Sequence, residues 1–154
     1  MTPSENPYRP PSADLSTGPH EALPLYSPGQ IGGVTLLGGP LAGAFLLAAN
    51  YAGLNDATAR TRTLAIGLLG SIAFFALAIA VPAGLSRPLP IVSVIAMRSI
   101  ADSLQGERYR KRLAAGGRRY SNWRVAGLGA LFLVATLAAF VVLILAFPDF
   151  VPEE

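Results

Sequence analysis

Residues 28–53 read PGQIGGVTLLGGPLAGAFLLAANYAG, a stretch of 26 residues without one charged side chain. Ser27 stands before it as a predicted N-cap, with Pro28 at the first helical position and Gln30 placed to complete a capping box. A helix of about 25 residues rises roughly 37 Å, more than the ~30 Å of a bilayer's hydrocarbon core. The stretch therefore predicts a membrane-spanning helix over residues 29–52.

Two further stretches of the chain are also free of charge. Residues 63–86 and 125–148 contain no Asp, Glu, Lys or Arg, and each is longer than the ~20 residues that a spanning helix needs. They predict spans over about 62–83 and 124–147. Only 14% of the 154 residues are charged, below the roughly 25% of soluble domains. The sequence thus predicts an all-α membrane protein with one helical membrane domain over residues 28–148.

The two ends of the chain differ from this domain. Residues 1–27 hold six of the thirteen prolines and few aliphatic side chains, so they cannot bury enough apolar area to offset the entropy of ordering. We expect a disordered, proline-rich tail there. Residues 149–154 carry three acidic side chains and form a predicted acidic C-terminal tail.

The long polar connection between the second and third spans contains a predicted amphipathic helix over residues 90–113. Its expected apolar side holds Met97, Ile100, Ala101 and Leu104, and its expected polar side holds Arg98, Asp102 and Gln105. This pattern is typical of a helix that lies in, or dips partly into, the headgroup layer. The alternative makes residues 90–104 a fourth span, at the cost of bringing Arg98 and Asp102 to hydrocarbon depth.

The distribution of basic residues predicts the orientation. With three spans, the N-terminal tail and the connection over residues 87–124 share one side and hold ten of the twelve basic residues, leaving Arg60 and Arg62 on the other. The positive-inside rule then places the N-terminus in the cytoplasm and the C-terminus across the membrane. A four-span arrangement with an external N-terminus satisfies the rule too.

Small residues interrupt the first predicted span at Gly38, Gly39, Pro40 and Gly43. Small residues at a four-residue spacing let helix backbones approach closely, and Pro40 should kink the helix. We favour packing against the chain's own two other spans over dimerisation. A broken helix can alternatively frame an ion or substrate site, but the three predicted spans contain no Asp, Glu, Lys, Arg or His at depth.

A basic cluster follows the amphipathic segment. Its members are Arg108, Arg110, Lys111, Arg112, Arg118 and Arg119. Such a cluster sets topology, or binds anionic lipid at about 1 kcal/mol per residue. No RNA-binding motif surrounds it, so we expect no nucleic-acid partner.

Reactive groups are scarce in this sequence. It has no cysteine and one histidine, His20, and it shows no P-loop, GxSxG or HExxH pattern. We therefore expect no enzymatic activity, cofactor or metal. The leading hypothesis is a non-enzymatic protein that packs with itself or serves a membrane protein partner as an accessory subunit. The alternative is a small transporter or pore component built around the kinked first span.

Several short motifs carry a resemblance. They are Glu5-Asn6-Pro7-Tyr8, Pro10-Pro11-Ser12-Ala13-Asp14-Leu15, Leu25-Tyr26-Ser27-Pro28-Gly29-Gln30-Ile31, Gly38-Gly39-Pro40-Leu41-Ala42-Gly43, Leu104-Gln105-Gly106 and Gly116-Gly117. With them the chain resembles a group of small, uncharacterised bacterial inner-membrane proteins with an ENPYxPPxAxL-type tail. The resemblance implies a multi-pass protein of the bacterial inner membrane, with a cytoplasmic N-terminus and a periplasmic C-terminus. It implies no activity for any residue.

Overall fold

The computed structural model describes residues 23–146, which form six α-helices and one π-helical turn. The elements are α1 (Pro28–Gly53), α2 (Ala57–Ala80), α3 (Ala83–Ser86), α4 (Leu89–Ala101), the π turn (Asp102–Gly106), α5 (Glu107–Ala114) and α6 (Asn122–Ala146). The all-helical prediction is confirmed for this part of the chain. Most of the predicted N-terminal tail and the whole acidic C-terminal tail lie outside the described residues.

Three helices are long and apolar enough to cross a membrane. They are α1, α2 and α6, with mean hydropathies of 1.8, 2.3 and 2.9 over their most apolar windows. The bounds of α1 and α6 agree with the predicted spans within two residues, whereas α2 ends three residues earlier than predicted and differs more at its start. That helix begins five residues earlier than predicted, because the Asp56 side chain caps it by accepting a hydrogen bond from the Ala59 amide at 2.9 Å.

Helix α1 does not run straight, because its path reverses at Gly39. This residue has φ 73° and ψ −178° and is followed by Pro40. The Asn50 side chain accepts a hydrogen bond from the Tyr26 amide at 2.7 Å and donates one to the Tyr26 carbonyl at 2.8 Å. Two residues 24 positions apart would lie about 36 Å apart in a straight helix. The two arms, residues 28–38 and 40–53, are therefore antiparallel.

We call this element the hairpin, with its tip at Gly39 and its base at Tyr26 and Asn50. Its arms stay in contact along their length. A Cβ atom placed on Gly43 would lie 3.5 Å from the Ile31 carbonyl oxygen, and one on Gly53 would lie 3.1 Å from Leu25 Cδ2. The sequence predicted a kinked span here, and the structure has a closed helical hairpin.

The hairpin is also the core of the molecule. In its most apolar window 61% of the residues are buried, against 6% in α2 and in α6. Helices α2, α4 and α6 each pack on it. Phe75 of α2 reaches the tip, Phe132 of α6 lies against Gly38, and Val94 of α4 lies against Gly32.

The three surrounding helices have defined directions relative to the base. Helix α2 starts there, since the Asp56 amide donates to the Tyr51 carbonyl at 3.0 Å, and α6 starts there through Asn122. Both continue past the tip, where the rings of Phe75 and Phe140 lie 5.4 Å apart. Helix α4 returns in the opposite direction, and the π turn after it reaches Asn50 at the base.

The segment predicted as an interfacial helix over residues 90–113 forms α4, the π turn and α5, of which α4 and the π turn pack on the hairpin. One position of its predicted polar side, Gln105, is wrong. Ile100 and Leu104 are exposed, whereas Gln105 is only 3% exposed. A π-helical turn holds an extra residue, so it rotates the side chains that follow relative to the preceding face. The polar side chain of Gln105 therefore points into the fold.

Residues 23–27 belong to the fold, although the sequence placed them in the disordered tail. Leu25 and Tyr26 are buried. The Leu25 amide donates to the Arg118 carbonyl and the Leu25 carbonyl accepts from the Tyr120 amide, both at 3.2 Å. This short parallel bridge ties the chain entering α1 to the chain entering α6.

Candidate functional site at the hairpin base

Asn50 is the central polar residue of the base. It is 2% exposed and lies among apolar side chains. Besides its two bonds to the Tyr26 backbone, its Nδ2 donates to Gln105 Oε1 at 2.9 Å. One amide side chain thus joins the start of the hairpin, the end of the hairpin and the π turn.

Gln105 completes this connection from the other direction. Its Nε2 donates to the Leu47 carbonyl at 3.0 Å, on the second arm of the hairpin. Buried amides in an apolar setting need such partners, since an unpaired one costs about 1–3 kcal/mol. The π turn is what brings Gln105 to this position, and π turns often occur at functional sites.

Gln30 fastens the first arm to α6. The capping box is confirmed, because the Gln30 amide donates to Ser27 Oγ at 3.1 Å and the Ser27 amide donates to Gln30 Oε1 at 3.0 Å. Its Nε2 donates to the Tyr120 carbonyl and to Asn122 Oδ1, both at 2.8 Å. The cap of one helix therefore also positions the start of another.

Two tyrosines and an arginine close the outer side of the base. The rings of Tyr26 and Tyr120 stack with centroids 4.3 Å apart, and the Arg124 guanidinium carbon lies 4.5 Å from the Tyr120 centroid. Arg124 Nε donates to Tyr26 Oη at 3.1 Å. Burial raises the pKa of the Tyr26 phenol, and the hydrogen bond and charge of Arg124 oppose that rise. We call Tyr26, Gln30, Asn50, Gln105, Tyr120 and Arg124 the base cluster.

The four residues predicted for helix packing lie around the tip and the second arm. A Cβ on Gly38 would lie 2.6 Å from Phe132 Cβ of α6, one on Gly43 would lie 3.0 Å from Met97 Cε of α4, and one on Gly39 would lie 3.6 Å from Phe75 Cζ of α2. Each glycine thus faces a different helix of the same chain. Pro40 lines the groove between α2 and α4.

The predicted basic cluster is brought together beyond the base. Four of its members lie on α5 and two on the segment between α5 and α6. Arg110 pairs with Asp102 at 3.1 Å and Lys111 with Glu107 at 2.7 Å, with all four side chains more than half exposed. Exposed pairs of this kind contribute about 0–1 kcal/mol. The cluster therefore keeps an accessible excess of positive charge.

The reversal at Gly39 changes which basic residues lie at the same end of the molecule. Residues 23–146 contain eleven basic residues, and ten of them lie in segments at the base or on the half of α4 nearest to it. The exception is Arg87, which follows α2 at its distant end. Arg60 and Arg62 were expected opposite the basic cluster, and this expectation is wrong. The hairpin returns the chain to its starting side before α2 begins.

Two apolar grooves flank the hairpin. One, of about 470 Å³, lies between α2 and α6 and is lined by residues such as Leu41, Phe75 and Phe140. The other, of about 440 Å³, lies between α2 and α4 over the second arm, with Ala44 and Met97 in its lining. Within residues 23–146, no group of three or more Asp, Glu, His or Cys side chains could hold a metal ion.

The fold and this site define a class of protein by geometry: an all-helical chain in which three helices enclose a helical hairpin with a polar base. No protein family, curated protein or solved structure matched the chain.

Proposed function

We propose that the chain is an integral protein of the bacterial inner membrane, with α2, α6 and the continuous helical stretch of α4 and the π turn (Leu89–Gly106) crossing, and with the hairpin entering from one side. The outer faces of α2 and α6 support this proposal. Ile66, Leu69, Val142 and Leu145 are between 65% and 77% exposed. Hydrocarbon accepts such faces, whereas water does not favour so large a contiguous apolar surface.

The reversal at Gly39 is the observation that supports the proposed orientation of the chain in the membrane. Because the base gathers ten of the eleven described basic residues, the positive-inside rule places the base in the cytoplasm. Three crossings then put residue 23 in the cytoplasm and residue 146 at the periplasmic side. This retains the cytoplasmic N-terminus and periplasmic C-terminus of the sequence prediction, with α4 crossing in place of α1.

Burial in protein makes a re-entrant backbone tolerable in a membrane. Irregular backbone at membrane depth is found where neighbouring helices or water cover it. The tip at Gly39 has Phe75 and Phe132 beside it, and the base closes through the bonds of Asn50. The hairpin thus serves as an internal scaffold around which the crossing helices are arranged.

The specific role that we propose is non-enzymatic. The protein would be a packing or accessory subunit, in contact with a second copy or with another membrane protein. The small residues of the hairpin are used in contacts inside the chain, so the surface left for a partner is the exposed face of α2 or α6. The basic cluster on α5 lies where an anionic leaflet would meet it.

The topology is tested by single-cysteine labelling, which is clean because the chain has no cysteine. Leu23→Cys, Thr58→Cys and Arg87→Cys are treated in intact spheroplasts with a membrane-impermeant maleimide. We expect Arg87→Cys to react at once, and the other two to react only after permeabilisation. Labelling of positions 23 and 58 from opposite sides would contradict the hairpin, since a straight first span separates them.

The accessory role is tested by crosslinking followed by purification in mild detergent. A photoreactive side chain at Ile66 or Val142 should join the protein to a second copy or to one membrane polypeptide in fixed ratio. The same group at buried Val34 serves as the control and should join nothing outside the chain. A monomer that moves a solute across reconstituted vesicles would instead favour the transporter alternative.

A further inference from the structure

A cleft between the first arm of the hairpin and α4 contains a cation, Arg98, that pairs with none of the described residues. Arg98 packs its Cβ within 3.1 Å of the position that a Cβ on Gly32 would take, and its side chain is exposed. Asp102, one turn further along, forms its ion pair with Arg110. Within residues 23–146, no hydrogen bond or ion pair engages the Arg98 guanidinium.

The cleft has a volume of about 590 Å³ and two chemically different ends. Arg98, Arg110 and Tyr109 line it toward the base, together with Asp102. Val94 and Ile95 line it toward the tip. Pro28 and Gly29 form the opposite wall, so the positive end of the first arm faces the same space.

A cleft with one cationic end and one apolar end matches a ligand that has an anionic group and an apolar chain. A guanidinium binds phosphate oxygens through two parallel hydrogen bonds, and no residue in the described part of the chain engages the Arg98 donors. An isolated cation beside an apolar wall is unfavourable in a membrane unless an anion or water meets it. Within the cleft, two arginines face a single carboxylate, which leaves a net positive charge for an anionic group.

We propose that this cleft binds an anionic phospholipid, with the headgroup phosphate on Arg98 and an acyl chain along Val94 and Ile95. The site is separate from the basic cluster, whose members other than Arg110 do not line the cleft. The proposal rests on the proposed membrane location. It adds a defined lipid site to the general attraction between basic residues and an anionic leaflet.

The test uses a fluorophore on Ser103→Cys, an exposed position beside Asp102 that does not line the cleft. The protein is reconstituted in vesicles that contain spin-labelled phosphatidylglycerol or spin-labelled phosphatidylcholine, and quenching gives the relative binding of the two lipids. We expect a preference of about fivefold for phosphatidylglycerol, the equivalent of one well-placed arginine. Arg98→Gln should lower that preference to about one.

Two matched variants separate the site from general charge. Arg62→Gln removes the same charge from α2, outside the cleft, and should leave the preference unchanged. Arg98→Lys keeps the charge and should restore part of the preference, which also shows that the loss in Arg98→Gln is not misfolding. Equal loss in Arg62→Gln and Arg98→Gln, or no loss in either, would overturn the proposal.

The same experiment distinguishes its failure from failure of the proposed membrane location. Quenching by both lipids without any preference contradicts the lipid site alone. Absence of quenching by either lipid contradicts the membrane location itself. Relief of quenching by millimolar soluble glycerol phosphate would show a phosphate site that does not require a lipid, and would also overturn the assignment.

Discussion

At the scale of single residues, a few buried polar side chains decide how the segments meet. Asn50 and Gln105 lie in apolar surroundings and bond to each other and to backbone groups of Tyr26 and Leu47. The sequence shows an Asn inside an uncharged stretch and a Gln after an amphipathic one. Neither position indicates which residue the side chain will bond to. Such pairs depend on the approach of segments far apart in the chain.

Asn50→Leu should destabilise the protein by about 2 kcal/mol, because it leaves the Tyr26 amide and Gln105 Oε1 without partners in a buried site. The free energy of unfolding in mixed micelles measures this. Thr35→Val is the control, since the Thr35 hydroxyl bonds only to the Ile31 carbonyl of its own arm at 2.8 Å. We expect the control to lose less than about 1 kcal/mol. Equal losses would contradict the bridging role of Asn50.

The Tyr26 phenol makes stability depend on alkaline pH. Burial raises its pKa above the ordinary value of about 10, so the fold favours the neutral form. That contribution is fully present below about pH 10 and is lost as the pH rises through the folded value. The melting temperature of the wild type should therefore fall more steeply above pH 10 than that of Tyr26→Phe. Parallel pH curves for the two proteins would count against a buried phenol.

At the scale of elements, the hairpin is the feature that the sequence only half predicted. The glycines and Pro40 indicated an interruption, and a kink of a spanning helix satisfied that signal. The structure turns the chain back within one residue, because Gly39 adopts a conformation that is essentially restricted to glycine. The closing contacts at Tyr26 and Asn50 stabilise the reversal.

Gly39→Ala should lower the free energy of unfolding by about 1–3 kcal/mol, since a Cβ is strained at that φ and ψ. Gly33→Ala is the matched control. Gly33 is exposed on the first arm and has open space around its Cβ position, so alanine there should stabilise the helix by about 0.5–1 kcal/mol. In a merely kinked helix both substitutions would stabilise, and that outcome would exclude the hairpin. Chemical unfolding of the wild type and the two variants measures these free energies.

At the scale of the whole molecule, the hairpin sets the sidedness of every later segment. A straight first helix would carry Arg60 and Arg62 away from the basic cluster, whereas the hairpin keeps them at the same end of the fold. The three helices that surround the hairpin alternate in direction, so the two ends of the described chain lie at opposite ends of the fold.

Reporter fusions should reproduce this sidedness in cells. Alkaline phosphatase fused after Asn55 should be inactive, because the hairpin returns the chain to the base, which we propose to be cytoplasmic. The same enzyme fused after Arg87, or after Glu154, should be active in the periplasm. A fluorescent protein that folds only in the cytoplasm should give the opposite pattern. Periplasmic activity after Asn55 would support a straight span and refute the re-entrant arrangement.

The sequence by itself determined the local features of this protein. Charge-free stretches predicted three long apolar helices, Ser27 and Gln30 predicted the capping box, and the glycines with Pro40 predicted a break. These follow from hydropathy, helix caps and backbone preferences, which act over a few neighbouring residues. The same local rules assigned residues 23–27 to the tail because they follow a proline-rich stretch with few aliphatic side chains, although Leu23, Leu25 and Tyr26 are themselves apolar.

Only the tertiary structure decided that the break is a reversal, that α4 runs beside the hairpin, and that Leu25 pairs with the segment before α6. Each depends on contacts between residues at least 24 positions apart, as between Tyr26 and Asn50. A glycine can permit a kink or a turn at similar local cost. The choice between them is made by the buried hydrogen bonds and packing that become available when the arms close, and no local pattern encodes those.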